Sequence, residues 1–218
     1  MSAPLIFPSI LNADFARLGE EIAAIATADG IHVDIMDGHF VPNLSFGPSI
    51  TETVNRLSDQ TLDIHLMIEN PEQWVEQYID AGGDIITFHI EATEDHVALA
   101  RKIRGLAAKA AFSVKPGTQI EPYLEDLAEF DQVLVMSVEP GFGGQSFMPE
   151  QLDKVRTLRT YIDENNLDVI IEIDGGISAD TIAQAAEAGV DAFVAGSAVY
   201  KFGDPAAAIA KLRELATR

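Results

Sequence analysis

Three short stretches of this chain gather side chains that can hold a divalent metal and move a proton. The first is His32-Val33-Asp34-Ile35-Met36-Asp37-Gly38. Alternate residues of an extended strand face the same side. His32, Asp34 and Met36 therefore present an imidazole, a carboxylate and a thioether in a row, with apolar Val33 and Ile35 behind them. Ile64-His65-Leu66-Met67 and Ile171-Glu172-Ile173-Asp174-Gly175-Gly176 repeat the style. Together, His32, Asp34, His65 and Asp174 would supply two nitrogen and two carboxylate ligands. That set suits zinc and also accepts manganese, iron or cobalt. The chain has no cysteine, so any metal must sit on His, Asp or Glu. One buried histidine alone reads as a hydrogen-bonded core residue. Four such residues at successive strand ends read as a metal site.

These residues need a scaffold that brings distant strands together, and the hydrophobic pattern predicts one. Apolar strand-like runs fall near residues 5–11, 31–36, 62–68, 84–90, 110–114, 132–138, 169–173 and 191–196. Helix-like stretches lie at 13–28, 71–81, 94–107, 149–165, 178–188 and 204–216, with shorter segments at 48–58 and 120–128 filling the remaining gaps. Helix-start signals stand at Asn12, Asn70-Pro71-Glu72, Met148-Pro149-Glu150, Ser178 and Asp204-Pro205. Eight strand-then-helix units without a linker predict one α/β domain over 1–218, a parallel (β/α)₈ TIM barrel. Active groups of such barrels sit at the C-terminal strand ends. Ser9 and Asn12, the His32 strand, His65 and Met67, Met136, and Asp174 would then surround one opening.

A second constellation is rich in glycine. Glu139-Pro140-Gly141-Phe142-Gly143-Gly144-Gln145 follows the sixth strand, Gly175-Gly176 the seventh and Gly196-Ser197 the eighth. Loops after strands seven and eight, with a short helix start, are the recurrent phosphate site of these barrels. Glycine lets backbone N–H groups approach an anion closely. This matters because the chain carries 35 Asp and Glu against 14 Lys and Arg, a formal charge of −21. Such acidity argues against nucleic acid and anionic membranes as partners. Oriented amides could still take a phosphate. No apolar run approaches the roughly 18 residues of a membrane span. The first residues lack the basic region and long apolar stretch of a secretory signal. A cytoplasmic setting is expected, or a plastid one where a transit peptide has been removed.

The segments HVDIMDGHFVPNLSFGP, HLMIENP, VLVMSVEPGFGGQSF, IEIDGGI and FVAGSAVY, in this order and spacing, resemble the ribulose-phosphate 3-epimerase family across essentially the whole chain. The resemblance implies a barrel of the ribulose-phosphate-binding type. It also implies interconversion of D-ribulose 5-phosphate and D-xylulose 5-phosphate, in the pentose phosphate pathway or the Calvin cycle of carbon fixation. Carried over by position, His32, Asp34, His65 and Asp174 match the metal ligands, and Asp34 and Asp174 the acid/base pair. Ser9 and His65 match substrate contacts. Gly141, Phe142, Gly143, Gly144, Gly175, Gly176, Gly196 and Ser197 match the phosphate region. Met36, Met67 and Met136 match a methionine cluster over the reacting carbon. No position departs from the pattern. The expected partners are a phosphorylated ketose and, in a homo-oligomer, further copies of the chain. One divalent ion per chain, zinc first and Fe²⁺, Mn²⁺ or Co²⁺ after it, is the expected cofactor.

The chemistry accounts for these residue types. Inverting C3 of a 2-ketose removes a proton beside a carbonyl and returns one to the opposite face, through an enediolate whose charge a metal would stabilise. Two carboxylates in different protonation states suffice. Thioethers are polarizable and aprotic, so they can pack near such an intermediate without protonating it. His89 is expected to support the site rather than ligate, Asp37 to shape a turn, and Lys115 to belong to a loop. Asp63, two residues before His65, would bury a carboxylate deeper in the barrel for no reason visible in the sequence. A six-carbon ketose phosphate would use the same residues. A lyase of this barrel type would carry an Asp-x-Lys-x-x-Asp strand end, which is absent. A pure phosphosugar binder would not need paired carboxylates.

Overall fold

The computed structural model describes residues 3–201 and 203–217; positions 1, 2, 202 and 218 of the expected barrel lie outside the described residues. Eight parallel strands occur among the described residues: β1 (Leu5–Pro8), β2 (Gly30–Met36), β3 (Thr61–Met67), β4 (Ile85–His89), β5 (Lys109–Val114), β6 (Gln132–Met136), β7 (Ile170–Asp174) and β8 (Ala192–Ala195). They form one sheet in the order β1-β8-β7-β6-β5-β4-β3-β2. A parallel bridge between Ser9 and His32 joins the two edges, so the sheet is a nearly closed barrel. Helices fill the connections: α1 (Leu18–Ala24), α2 (Pro48–Leu57), α3 (Val75–Asp80), α4 (His96–Gly105), α5 (Leu152–Asn165), α6 (Ile182–Ala188), the single turn α7 (Ser197–Tyr200) and α8 (Pro205–Ala216). The connection from β5 to β6 is a run of 3₁₀ geometry, Glu121–Glu129. Among the described residues no helix is long and apolar enough to cross a membrane.

The alternation of each strand separates two environments. One set, including Val33, Ile35, Ile64, Leu66, Ile86, Phe88, Phe112, Val133, Val135, Ile171, Ile173 and Phe193, joins Ile22, Val54, Leu99, Ile103, Leu152, Val155 and Ile209 of the helices in one buried apolar layer. The alternate set faces inward and is polar to an unusual depth. His32, Asp63, His65, Thr87, His89, Ser113 and Glu172 are all fully buried.

Four helix starts differ from the pattern-based expectation. Pro71–Gln73 and Pro149–Gln151 are 3₁₀ turns, so α3 and α5 begin only at Val75 and Leu152. Asn12 ends a 3₁₀ turn (Ile10–Asn12), Asp14 caps a second (Phe15–Arg17), and α1 begins only at Leu18. Asn12 is thereby released to point into the barrel mouth. Ser178 likewise precedes a turn, in which its own N–H bonds to Thr181 Oγ1, and α6 begins at Ile182. Asp95 and Asp204 do cap α4 and α8, accepting from Ala98 N–H and Ala207 N–H.

Candidate active site

Register explains how the quartet assembles. Asp34 on β2 is paired with His65 on β3, and Met36 with Met67; on the far side Met136 of β6 is paired with Asp174 of β7. β2 and β7 lie three strands apart around the barrel, so Asp34 and Asp174 reach the axis from different directions. Serines fix both backbones. Ser45 Oγ donates to the Asp34 carbonyl at 2.5 Å and accepts from Met36 N–H at 2.9 Å. Ser137 Oγ donates to the carbonyls of Asp174 and Gly175 at 2.9 and 2.8 Å.

One donor atom from each of His32, Asp34, His65 and Asp174 lies within 4.8 Å of all the others. His32 Nε2 is 3.4 Å from Asp34 Oδ1 and 3.4 Å from His65 Nδ1. His65 Nδ1 is 3.3 Å from Asp34 Oδ1 and 3.9 Å from Asp174 Oδ2. Donors that share a tetrahedral ion at zinc-like bond lengths stand about 3.3–3.6 Å apart. The donor set and its spacing therefore fit a divalent metal.

The carboxylates differ electrostatically. Burial would raise the Asp34 carboxyl, but the His32 and His65 imidazoles beside it hold it far below the usual range. Its Oδ2 also accepts the Ser9 hydroxyl at 2.5 Å. Burial followed by the charge of Asp34 pushes Asp174 up to about 6. Burial opposes the charging of His32, yet Asp34 and Asp63 hold its pKa well above the ordinary value. Metal binding must then displace a proton there.

A further polar layer supports the cluster. Asp63 Oδ2 accepts from His32 Nδ1 at 2.6 Å, which leaves Nε2 for the cluster and explains the buried carboxylate. Thr87 Oγ1 donates to the other oxygen of Asp63 at 3.3 Å. Burial, and then the charge of Asp63, raise Glu172 well above the carboxylate range, so it is held protonated. Gln132 Nε2 donates to it at 2.7 Å. Beyond His65 stands His89, pushed down to about 4, chiefly by burial, and so neutral. Period-two parity was the available signal for this layer. Asp63 precedes His65 by two, and Glu172 precedes Asp174 by two.

A cavity of about 230 Å³ opens above the cluster. Ser9, Asp34, Met36, Met67, Met136, Asp174 and the glycines 141, 143, 144, 175, 176 and 196 line it, with Phe142 and Ser197. His32 and His65 lie beneath, both fully buried. Met36 and Met67 pack together with Val41, while Met136 packs with Leu134 and Val138. Among the described residues none of the lining side chains is Lys or Arg. Gly175 and Gly176 have φ of 119° and 63°. A Cβ on Gly176 would stand 2.5 Å from the Phe147 nitrogen, so only glycine permits that turn. Asn12, expected at the opening, also lines the cavity; a Cβ on Gly196 would lie 2.0 Å from its Oδ1. Asp37 shapes the turn after β2, accepting from the N–H groups of His39, Phe40 and Glu69. The Lys115 ammonium sits 3.7 Å over the Phe40 ring.

A parallel barrel with an imidazole–carboxylate cluster under a glycine-rimmed mouth falls in the class of TIM-barrel enzymes. Solved structures with this fold include 3-keto-L-gulonate-6-phosphate decarboxylase from Vibrio cholerae, with a TM-score of 0.73, 16% identity and 99% and 98% of the two chains covered. Orotidine 5'-phosphate decarboxylase from Pyrococcus horikoshii follows, with a TM-score of 0.70, 16% identity and 97% and 99% coverage. The sequence narrows the class. The profile of the Ribulose-phosphate 3 epimerase family matches residues 5–200. A ribulose-phosphate 3-epimerase of Mycobacterium bovis is 60% identical over 213 residues, covering 98% of this chain and 93% of the relative. That of Escherichia coli K12 is 43% identical over 217 residues, covering 98% and 96%. The chain belongs to the ribulose-phosphate 3-epimerase family and is an isomerase.

Proposed function

We propose that the chain interconverts D-ribulose 5-phosphate and D-xylulose 5-phosphate by inversion at C3, with one divalent ion, zinc, held by His32, Asp34, His65 and Asp174. The observation that carries this reading is the convergence of two carboxylates of unequal proton affinity on one cluster, under a cavity rimmed by glycine amides. A bound ion supplies Lewis-acid stabilisation of the negative charge that develops on the substrate oxygens. Asp34 offers Oδ1 to the cluster and keeps Oδ2, bonded to Ser9, for proton exchange. Asp174 offers Oδ2 and keeps Oδ1. One carboxylate takes the C3 proton while the other returns one to the opposite face, and the reverse reaction exchanges their roles. Met36, Met67 and Met136 line the cavity with aprotic surface. The backbone of Gly141 to Gly144, Gly175, Gly176, Gly196 and Ser197 takes the phosphate without a cationic side chain, which suits a protein of net charge −21.

Protein purified without chelator should carry about one zinc per chain, convert either pentulose phosphate into the other, and incorporate solvent deuterium at C3. Chelation should abolish turnover and leave the barrel folded. Full turnover in metal-free protein would overturn the metal assignment. Turnover confined to a six-carbon ketose phosphate would overturn the substrate.

A further inference from the structure

We infer that Glu91 and His89 form a positioning relay that fixes which nitrogen of His65 carries a proton, and that this relay ties metal affinity to the loop after β5. The inference rests on the metal reading above and extends it to residues that touch neither the ion nor the substrate.

The argument follows the protons. His65 turns Nδ1 toward the cluster, 3.3 Å from Asp34 Oδ1 and 3.9 Å from Asp174 Oδ2. A neutral imidazole that ligates through Nδ1 must carry its proton on Nε2. That nitrogen lies 2.9 Å from Nε2 of His89. Two nitrogens at this distance share a single proton, so His89 Nε2 must offer a lone pair and His89 must be protonated on Nδ1. Its Nδ1 lies 3.2 Å from Glu91 Oε2, and a carboxylate can only accept. The chain of donors therefore runs in one direction, from His65 Nε2–H to His89 Nε2 and from His89 Nδ1–H to Glu91.

The far end is anchored. Glu91 Oε1 accepts the Lys115 N–H at 2.8 Å and the Thr118 hydroxyl. Both donors belong to the segment after β5, which supplies none of the residues lining the cavity. His89 is fully buried, so water cannot readily substitute for it. The Phe40 ring packs 4.8 Å from the His89 ring, and the Lys115 ammonium sits over the Phe40 ring. His32 makes an instructive contrast. It uses the opposite nitrogen, and its tautomer is set by one direct bond from Nδ1 to Asp63 at 2.6 Å. Partners of this kind orient metal-bound histidines, and their loss weakens metal binding about 10- to 100-fold.

The test compares the full chain with His89→Leu, His89→Gln and Glu91→Gln. Zn²⁺ affinity is read by competition with a chromophoric chelator. The nitrogen of His65 that carries the proton is read in Zn²⁺-loaded protein by long-range ¹H–¹⁵N correlation at pH 8, and circular dichroism checks the fold. His65 should be the Nε2–H tautomer in the wild type. His89→Leu should weaken Zn²⁺ about 10- to 100-fold and mix the tautomers. His89→Gln, whose amide oxygen can accept the same proton, should recover most of the affinity, a rescue that a packing role would not predict. Glu91→Gln sets an amide N–H₂ against the Lys115 N–H or against His89, and should lose about tenfold, the lower end of that range. An Nδ1–H wild type, or folded variants that keep wild-type Zn²⁺ affinity and tautomer, would overturn the relay. Should His89→Leu not fold, Glu91→Gln decides on the same criteria. A wild type that binds no Zn²⁺ would defeat the metal reading, while the His89 tautomer, Nδ1–H toward Glu91, would still judge the relay.

Discussion

The two walls of the cavity are built on opposite principles. The wall formed by β2, β3 and β7 uses side chains, and nearly every functional atom has a second partner: Ser9 on Asp34, Asp63 on His32, His89 on His65. The wall formed by the segments after β6, β7 and β8 uses main chain, and its side chains are mostly the missing ones of glycine. Proton transfer and metal binding need particular atoms held to a fraction of an ångström, which rigid strands and buried hydrogen bonds provide. Phosphate binding needs only a concave array of N–H dipoles, which a loop provides wherever glycine lets it fold closely. The acidic protein thus keeps lysine and arginine out of the lining of both walls, among the described residues.

The sharpest way to break this contrast is to remove one carboxylate. Asp34→Asn and Asp174→Asn should each lower kcat by about 10²–10⁴, the range for a general acid or base, with a smaller change in KM. The two-base proposal requires both groups for net inversion, so each variant should fail in both directions. Deuterium exchange at C3 separates them, because each variant should retain slow exchange with one epimer only. Metal content is measured alongside, since both residues serve the cluster. Two metal-loaded variants that epimerise at near-normal rates would refute the two-base assignment.

A side-chain wall should also be electrostatically tense without its ligand. Asp174 titrates near 6 in the fold against 3.8 when unperturbed. The native state therefore binds the extra proton between those values. Its contribution is favourable below about pH 4 and is lost as pH rises through 6. A gap of that size is worth roughly 2–3 kcal/mol. In metal-free protein at pH 8, Asp174→Asn should therefore raise Tm by about 4–12 °C, with no gain near pH 3.5. Asp34 has the opposite sign. Its depressed pKa stabilises the fold above the ordinary carboxylate range and is lost on acidification. Thermal melts of both variants across pH check the pair.

The first wall was legible in the sequence because its chemistry lies in residue types. His32, Asp34, His65 and Asp174 declare themselves by parity within apolar strands, and the structure gathers them within 4.8 Å. The barrel was legible for a related reason: eight runs of one period alternating with eight of another leave few other folds. What could not be read was how the layer behind is paired. Asp63 looked like a buried charge without cause, since its partner His32 lies on another strand and is matched to it by register alone. Asn12 keeps its expected place at the opening, but it caps no α-helix, because two 3₁₀ turns delay α1 to Leu18. Local propensity could not foresee that delay. The helix-like pattern at 120–128 similarly became 3₁₀ geometry.

The glycine wall should answer to sterics and be indifferent to charge, and its two kinds of glycine should separate. At Gly144, φ is 75° and an added Cβ meets nothing within 4 Å. Gly144→Val should then cost about 1–2 kcal/mol of backbone strain, raising KM for the phosphorylated ketose about tenfold while kcat holds. Gly176→Val instead drives a side chain into the Phe147 backbone and should lower Tm as well as activity. An unchanged KM in Gly144→Val would place the phosphate elsewhere.

The methionines test whether the side-chain wall contains members that act only by being apolar. Met67 is 1% exposed and packs with Met36 and Val41, so Met67→Leu is nearly volume-conserving and should cost less than about 1.5 kcal/mol. Leucine has no proton to give. If the role of Met67 is to keep the reacting carbon in aprotic surroundings, kcat should fall by no more than about threefold, the smallest effect among these variants. Met67→Gln has a similar length but brings an N–H₂ donor to the same place. It should slow turnover more than leucine does and should release partly washed-out isotope during single-turnover exchange, as a protic neighbour competes with Asp34 and Asp174 for the C3 proton site. Stability cannot by itself explain that pattern, since unfolding lowers the amount of active enzyme without altering where the isotope goes. Equal isotope retention in Met67→Gln and Met67→Leu would show that Met67 is core and nothing more, leaving the two carboxylates as the whole of the proton chemistry.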